Sequence, residues 1–383
     1  MKKSSALHFL LLMSFVSLFA DMTYEGARSI TGPFMATLGA NAAIVGFVTG
    51  FAEFLGYALR FFSGWITEYT EKYWTITFLG YVCNLLAVPL LALAGHWWIA
   101  AVLIILERSG RAIRIPPRDA MLSYTGQHLG MGWIFGLHEA IDQIGAMLGP
   151  IIVATVLYFH GGYPHSFAIL LIPALCALSL LGFTCKQFPQ PEKLSIHTDN
   201  LQTNKLPRSF WIYLFGSMLV AAGFADFPLI AYHFQKKSLL QPIWIPIFYA
   251  CALGITSLTA PLFGWLYDKY GMWILIFATI IASLFAPFSF LGNFKIAFIG
   301  TLLWGIGVSA HESFMRAIVA NQVSPKRRAS AYGIFNMGFG LAWFLGSFAM
   351  GMLYDFSIMS LVIFSVASQL LAVPIFWIVR KQP

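Results

Sequence analysis

Charge is what this sequence has least of. Asp, Glu, Lys and Arg make up 10% of its 383 residues, whereas soluble domains carry about 25%. That scarcity excludes an ordinary water-exposed domain. Cysteine is also sparse. Cys83, Cys176, Cys185 and Cys251 sit in or beside apolar runs, with no CxxC and no Cys/His cluster. Neither a disulfide framework nor a zinc site is indicated. The phosphate-binding pattern Gly-x-x-x-x-Gly-Lys-Ser/Thr is missing, so ATP is not the direct energy source. Long polar stretches are nearly absent. The longest, Lys186 to Arg208, is a linker rich in Pro, Gln, Asn, Thr and Lys.

What fills the chain instead is apolar and aromatic. Hydrophobic residues are 59% of it, including 36 Phe, 12 Trp and 15 Tyr, and the mean hydropathy is +0.76. A spanning helix needs roughly 20 mostly apolar residues. Twelve such segments are expected, near 7–30, 42–64, 74–95, 97–115, 131–158, 166–186, 209–234, 243–266, 272–292, 296–319, 329–353 and 357–379. The fold class is therefore all-α and membrane-embedded. Met1 to Ala20 imitates a signal peptide, but Leu18 is not the small residue cleavage needs, and the apolar run continues past Asp21 towards Pro33. With the N-terminus inside, Arg28, Lys236, Lys237 and Lys295 are the only ones of the 23 Lys and Arg to fall outside. The positive-inside rule then puts both termini in the cytoplasm. The net charge of +8 is a topology signal; no basic segment has the aromatic interleaving of a nucleic-acid surface.

The chain repeats itself. Phe19-Ala-Asp21 matches Phe224-Ala-Asp226, Gly64-Trp-Ile-Thr-Glu68-Tyr matches Gly264-Trp-Leu-Tyr-Asp268-Lys-Tyr, and Arg118-Asp-Ala matches Arg316-Ala-Ile, each about 200 residues apart. Three matches in order indicate duplication of a six-helix unit. The expected domains are a first bundle over 1–187, a cytoplasmic linker over 188–208 and a second bundle over 209–383. Parallel repeats of this kind place a binding site near the membrane midplane, between the halves.

Charges inside spans are costly and commonly mark function. Asp21, Glu25 and Arg28 share one face of the first segment. Glu25 and Arg28 either pair there, leaving Asp21 to bind a proton or cation, or lie at the outer end in water. Asp226 is the repeat mate of Asp21. Glu53 lies mid-segment between Gly50 and Gly56 and has either a structural arginine partner or a coupling role. His138 and Asp142 are four apart on the fifth segment, with Asp142 roughly 15–18 Å along it. A carboxylate at that depth is a proton carrier, and an imidazole neighbour relays protons. The bland alternative is a satisfied polar pair. His138 and Asp142 supply at most two metal ligands, and no dense ligand cluster accompanies them. Arg108, Arg111, Arg114 and Arg118 are expected as topology anchors and partners for Glu68, Glu71 and Asp119, with Glu107 or Arg108 facing a cavity. Glu312 precedes Arg316 by four residues, the order favoured for a helical ion pair, and His311 adjoins them.

These motifs resemble the major facilitator superfamily of secondary transporters, along essentially the whole chain. The family pattern Gly-x-x-x-Asp-Arg/Lys-x-Gly fits Gly264, Asp268, Lys269 and Gly271 fully. Its first copy has Gly64 and Glu68, with Lys72 nearby, and lacks the following basic residue and glycine. Arg108 lies only two residues before Gly110, whereas the family's fourth-helix motif is Arg-x-x-x-Gly. Gly145-x-x-x-Gly149-Pro150 is similar to the fifth-helix motif of the superfamily's antiporters, without the glycine pair that follows it there. The run Ser109 to Met121, with Phe135-Gly-Leu-His138, is similar to a bacterial permease subgroup. The resemblance implies two pseudo-symmetric six-helix bundles, alternating access, and no enzyme activity or cofactor. The expected partners are a small-molecule substrate, protons and the lipid bilayer of a bacterial cytoplasmic membrane, with the protein working as a monomer. Export by proton antiport is the first expectation; uptake of a metabolite or a siderophore-type metal chelate is the second. A non-transporting receptor and a membrane-embedded enzyme are the rivals from other classes. The receptor would have little use for embedded acids, and the enzyme lacks a nucleophile beside His138 and Asp142.

Overall fold

A computed structural model describes residues 3–129, 131–190, 206–322 and 328–380. Among the described residues there are fifteen α-helices, one short 3-10 turn and no strand. In chain order the helices are α1 (Lys3–Thr37), α2 (Ala42–Thr70), α3 (Tyr73–Leu90), α4 (Trp97–Leu129), α5 (Met131–Tyr158), α6 (Tyr163–Ile169), α7 (Leu171–Gln187) and α8 (Arg208–Gly223). They continue with α9 (Phe227–Lys236), α10 (Trp244–Tyr270), α11 (Met272–Ser283), α12 (Phe285–Leu291), α13 (Phe294–Gln322), α14 (Arg328–Phe356) and α15 (Ile358–Arg380). Among the described residues, ten helical stretches are long and apolar enough to cross a membrane. The arginine-bearing α4 is outside that set, and α13 contributes only the shorter apolar run Phe294–Ala310. Large side chains such as Trp65, Phe159, Phe215, Leu258 and Leu371 are exposed. In water they would be a liability; in lipid they are the expected outer surface.

Three of the breaks fall just before a proline, although Pro33, Pro150 and Pro374 lie inside unbroken helices. A proline removes the donor to the carbonyl four residues earlier. Pro173 falls just after the break at Leu170, Pro287 just after Leu284, and Pro228 just after the gap at 224–226. Segments expected as single helices, 166–186, 209–234 and 272–292, are thus each preceded or interrupted by such a break. The reverse holds at Pro116-Pro117. The fourth span is expected to end near residue 115, yet α4 continues through both prolines to Leu129. The Ile113 carbonyl, deprived of its donor by Pro117, accepts a 2.7 Å hydrogen bond from Ser63 Oγ. A hydroxyl on α2 therefore repairs the helix.

Two compact units emerge. One comprises Met1–Ile30 and Leu55–Asp199; the other comprises Thr31–Phe54 and Asn200–Pro383. Compactness thus groups residues 31–54 with the second half, although chain order places them in the first. Within the first unit, Phe9, Leu10, Met13 and Val16 of α1 pack with Tyr81 and Leu85 of α3, Met121 and Leu122 of α4, and Leu181 of α7. The second unit has an aromatic core. Phe224, Phe227, Tyr249 and Trp304 lie with centroids 4.2–6.0 Å apart.

Candidate functional site

Inside the first unit, α1, α3, α4 and α5 enclose a network of ionised and polar side chains. Asp21 is not free. Arg114 Nη2 donates to its Oδ1 at 3.2 Å, and Arg111 Nη2 lies 3.6 Å from its Oδ2. Arg111 also reaches Glu25 Oε1 at 3.7 Å. Arg111 and Arg114 therefore meet the acids of α1, while Arg118 meets Asp119, one of the three acids expected as partners. Their three-residue spacing drifts slowly round α4, so both guanidinium groups stay on the face that meets α1. Arg114 has no exposed surface. Tyrosine rings hold these cations: Tyr24 lies 4.5 Å from Arg108 and 4.0 Å from Arg111, and Tyr81 lies 4.4 Å from Arg114. Arg28 donates to the Tyr24 hydroxyl at 3.1 Å.

Arg118 bonds its neighbour Asp119 at 2.8–2.9 Å and donates to Ser17 Oγ at 3.0 Å. Ser17 also lies 3.4 Å from His138 Nε2 and 3.4 Å from the Tyr81 hydroxyl, while Ser14 Oγ sits 3.1 Å from His138 Nδ1. Both ring nitrogens of His138 thus meet serines of α1. The imidazole links α5 to α1 and is not paired with Asp142. Glu107 accepts from Asn84 Nδ2 at 2.6 Å, and Arg108 Nε is 4.0 Å away.

Asp142 stands apart. Its Oδ1 is buried without a hydrogen-bond partner among the described residues. Arg114 Nε and Nη1 and Arg111 Nε are in the same condition. Asp21, Arg114, Arg118 and Glu139 all lie within electrostatic reach of Asp142. The core therefore holds an acceptor and several donors with unused capacity, and every such buried group costs about 1–3 kcal/mol until it finds a partner. The helix that carries Asp142 also lies unusually close to α1. A Cβ at Gly145 would overlap the Leu18 carbonyl, and one at Gly149 the Met22 carbonyl. The small-xxx-small pair permits that approach.

The repeat mate of Asp21 does something else. Asp226 is buried at the break before α9 and caps it, accepting from Phe227 N at 3.0 Å. The unwound carbonyls beside it are satisfied: Trp304 Nε1 donates to Ala225 O at 2.9 Å, Ser365 Oγ to Gly223 O at 2.6 Å, and Gln369 Nε2 to Gly223 O at 3.2 Å. Glu53 is half-buried on α2. Gly64 lies 3.6 Å from Pro116 on its virtual Cβ, and Lys72 precedes α3. Lys269 lies over Trp265 at 5.3 Å and Tyr270 at 5.2 Å. Gly271 ends α10 at φ 59°, a conformation that favours glycine. The side chains of Glu68, Gly264, Asp268, His311, Glu312 and Arg316 lie outside the described set. Asn84, Ser14, Ser17, Tyr24 and Tyr81 were missed by sequence reasoning. Asn84 had a signal, being an amide in the apolar run Tyr81-Val-Cys-Asn84-Leu-Leu; the hydroxyls had none.

The Major Facilitator Superfamily model matches residues 10–292 and 247–383. The chain belongs to the major facilitator superfamily. As a member of the major facilitator superfamily it is a multi-pass membrane transporter. An uncharacterised protein of Mycobacterium tuberculosis is 39% identical, over 98% of this chain and 94% of that one. An uncharacterised MFS-type transporter of Methanocaldococcus jannaschii is 27% identical, over 90% and 88%. The multidrug resistance protein MdtH of Photorhabdus laumondii is 24% identical, over 84% and 80%. Among solved structures, a variant of the nucleoside transporter NupG superposes with a TM-score of 0.79 at 16% identity, covering 97% of this chain and all of that one. That likeness shows the major facilitator fold alone.

Proposed function

We propose that the protein is a proton-coupled secondary transporter that exports a small organic molecule by alternating access, with twelve spans and both termini in the cytoplasm of a bacterial cell. The observation that carries the coupling is Asp142, a membrane-embedded carboxylate whose Oδ1 has no partner among the described residues although unfilled arginine donors lie nearby. Protonated, Asp142 leaves Arg114 to Asp21. Ionised, it competes for Arg114 and Arg118, and the α1–α4 pairing changes. Because Gly145 and Gly149 seat α5 on α1, a proton on Asp142 bears directly on the helix that carries Asp21. His138, Ser17 and Tyr81 supply a hydrogen-bonded path alongside. Export is favoured by the glycine element of α5 and by the likeness to a protein named for multidrug resistance.

The test compares small molecules in cells and medium by untargeted mass spectrometry. Cells expressing the protein are set against cells expressing Asp142→Asn at equal membrane levels. A compound enriched in the medium only with the unmodified protein supports export and names the cargo. A compound drawn from the medium into the cells would reverse the direction.

A further inference from the structure

At the end of the second compact unit that carries the α1–α2 turn, a carboxylate ties two helices together. Asp355, in the last turn of α14, accepts from the backbone amides of Ala42 at 3.3 Å and Ala43 at 3.1 Å. These are the first residues of α2. The first N–H groups of a helix have no partner within it, and the helix dipole favours an anion there. Asn41 already takes the amide of Ile44 at 2.9 Å. Asp355 takes the two that remain nearer the end.

The surfaces around this contact have little side-chain interlock. Gly46 and Gly50 of α2 lie against Ser347 of α14, and Gly351 of α14 lies against Ala42 and Ala43. Phe47 and Phe51 close over Phe344 and Phe348 at 5.5–5.6 Å. Beside Asp355 is a cavity of about 620 Å³, lined among others by Asn41, Tyr232, Lys236, Lys237 and Tyr354. Both lysines and Asp355 are exposed. The carboxylate can therefore leave α2 without burying a charge, and two ammonium groups share the cavity that receives it.

We propose that Asp355 is a two-position latch. On the N-terminus of α2 it holds α2 against α14; released, it turns across the cavity to Lys236 and Lys237, and α2 parts from α14. Residues 31–54 are continuous with the parts of α1 and α2 that belong to the first unit. Release of the latch therefore frees one end of both helices. As a gate this rests on the transporter reading, but the latch itself is measurable without cargo.

The experiment replaces the four native cysteines with serine and introduces Ser347→Cys. That side chain is buried beneath α2, so its rate of labelling by a water-soluble maleimide in detergent reports separation of α2 from α14. Adding Asp355→Ala is expected to raise the rate about tenfold, because charge-assisted hydrogen bonds are roughly twice as strong as neutral ones. Asp355→Asn is expected in between. Replacing both lysines (Lys236→Gln with Lys237→Gln) is expected to slow labelling, since the released carboxylate loses its second position. A control, Ser365→Cys, reads a buried site away from the latch; its labelling stays unchanged. An equal rate with and without Asp355→Ala overturns the latch, and so does a parallel rise at Ser365→Cys. Unchanged labelling in the lysine variant overturns the second position. A latch response in a protein that exports no compound in the cell test would remove the export reading and leave the latch standing.

Discussion

Arg114 is fully buried, among the described residues bonds only Asp21 through one of its three nitrogens, and rests on the Tyr81 ring. Removing one member of a buried ion pair leaves the other charge uncompensated, at a cost of about 3–5 kcal/mol. Asp21→Ala is therefore expected to lower thermal stability in detergent sharply. Asp21→Ala combined with Arg114→Leu is expected to recover much of the loss, because no lone charge remains. A double-mutant cycle gives the coupling, and near-zero coupling would show that Asp21 does not hold Arg114. The acids of this core were legible in the sequence, since Asp21 and Asp142 interrupt apolar runs. Their partners were not. Asp21 and Arg114 are 93 residues apart, and the choice between Glu25, Arg28 and α4 depends on how α4 is rotated against α1.

Helix continuity follows the same division between what a local pattern shows and what a distant side chain decides. The breaks before α7, α9 and α12 each come shortly before a proline and follow from local chemistry. The unbroken α4 does not, because its repair comes from Ser63, fifty positions away from Ile113. Ser63→Ala removes that donor and leaves the Ile113 carbonyl unpaired, a cost of about 1–3 kcal/mol. Amide exchange in α4 beyond Pro117 is expected to accelerate while that of α3 stays unchanged. Uniform protection across α4 in the variant would mean that the carbonyl has found another donor. The broken α8–α9 pair shows how two similar stretches of sequence differ in use. Phe19-Ala-Asp21 lies within the continuous α1, where Asp21 meets arginines. Phe224-Ala-Asp226 lies at a break, where Asp226 becomes a cap and Trp304, Ser365 and Gln369 satisfy the freed backbone.

For the whole molecule, the proposed coupling asks how binding of a proton would be converted into a change of access. Composition alone disclosed the membrane class, and the repeated motifs disclosed the family; neither discloses which carboxylate titrates. Among the described residues Asp21 is ion-paired, Asp226 caps α9 and Asp142 Oδ1 has no partner, which is why the proposal rests on Asp142. In right-side-out vesicles with the exported compound equal on both faces, acid imposed on the outer face is expected to drive that compound out and build a gradient. Asp142→Asn is expected to abolish the proton-driven component while preserving downhill exchange, because the amide keeps the shape of the side chain but cannot be charged. Its initial rate of exchange should also lose most of its dependence on pH. Full proton-driven transport by Asp142→Asn would move the coupling role elsewhere. Loss of downhill exchange as well would make Asp142 part of the cargo site, since a residue that only carries the proton is not needed when no gradient is used.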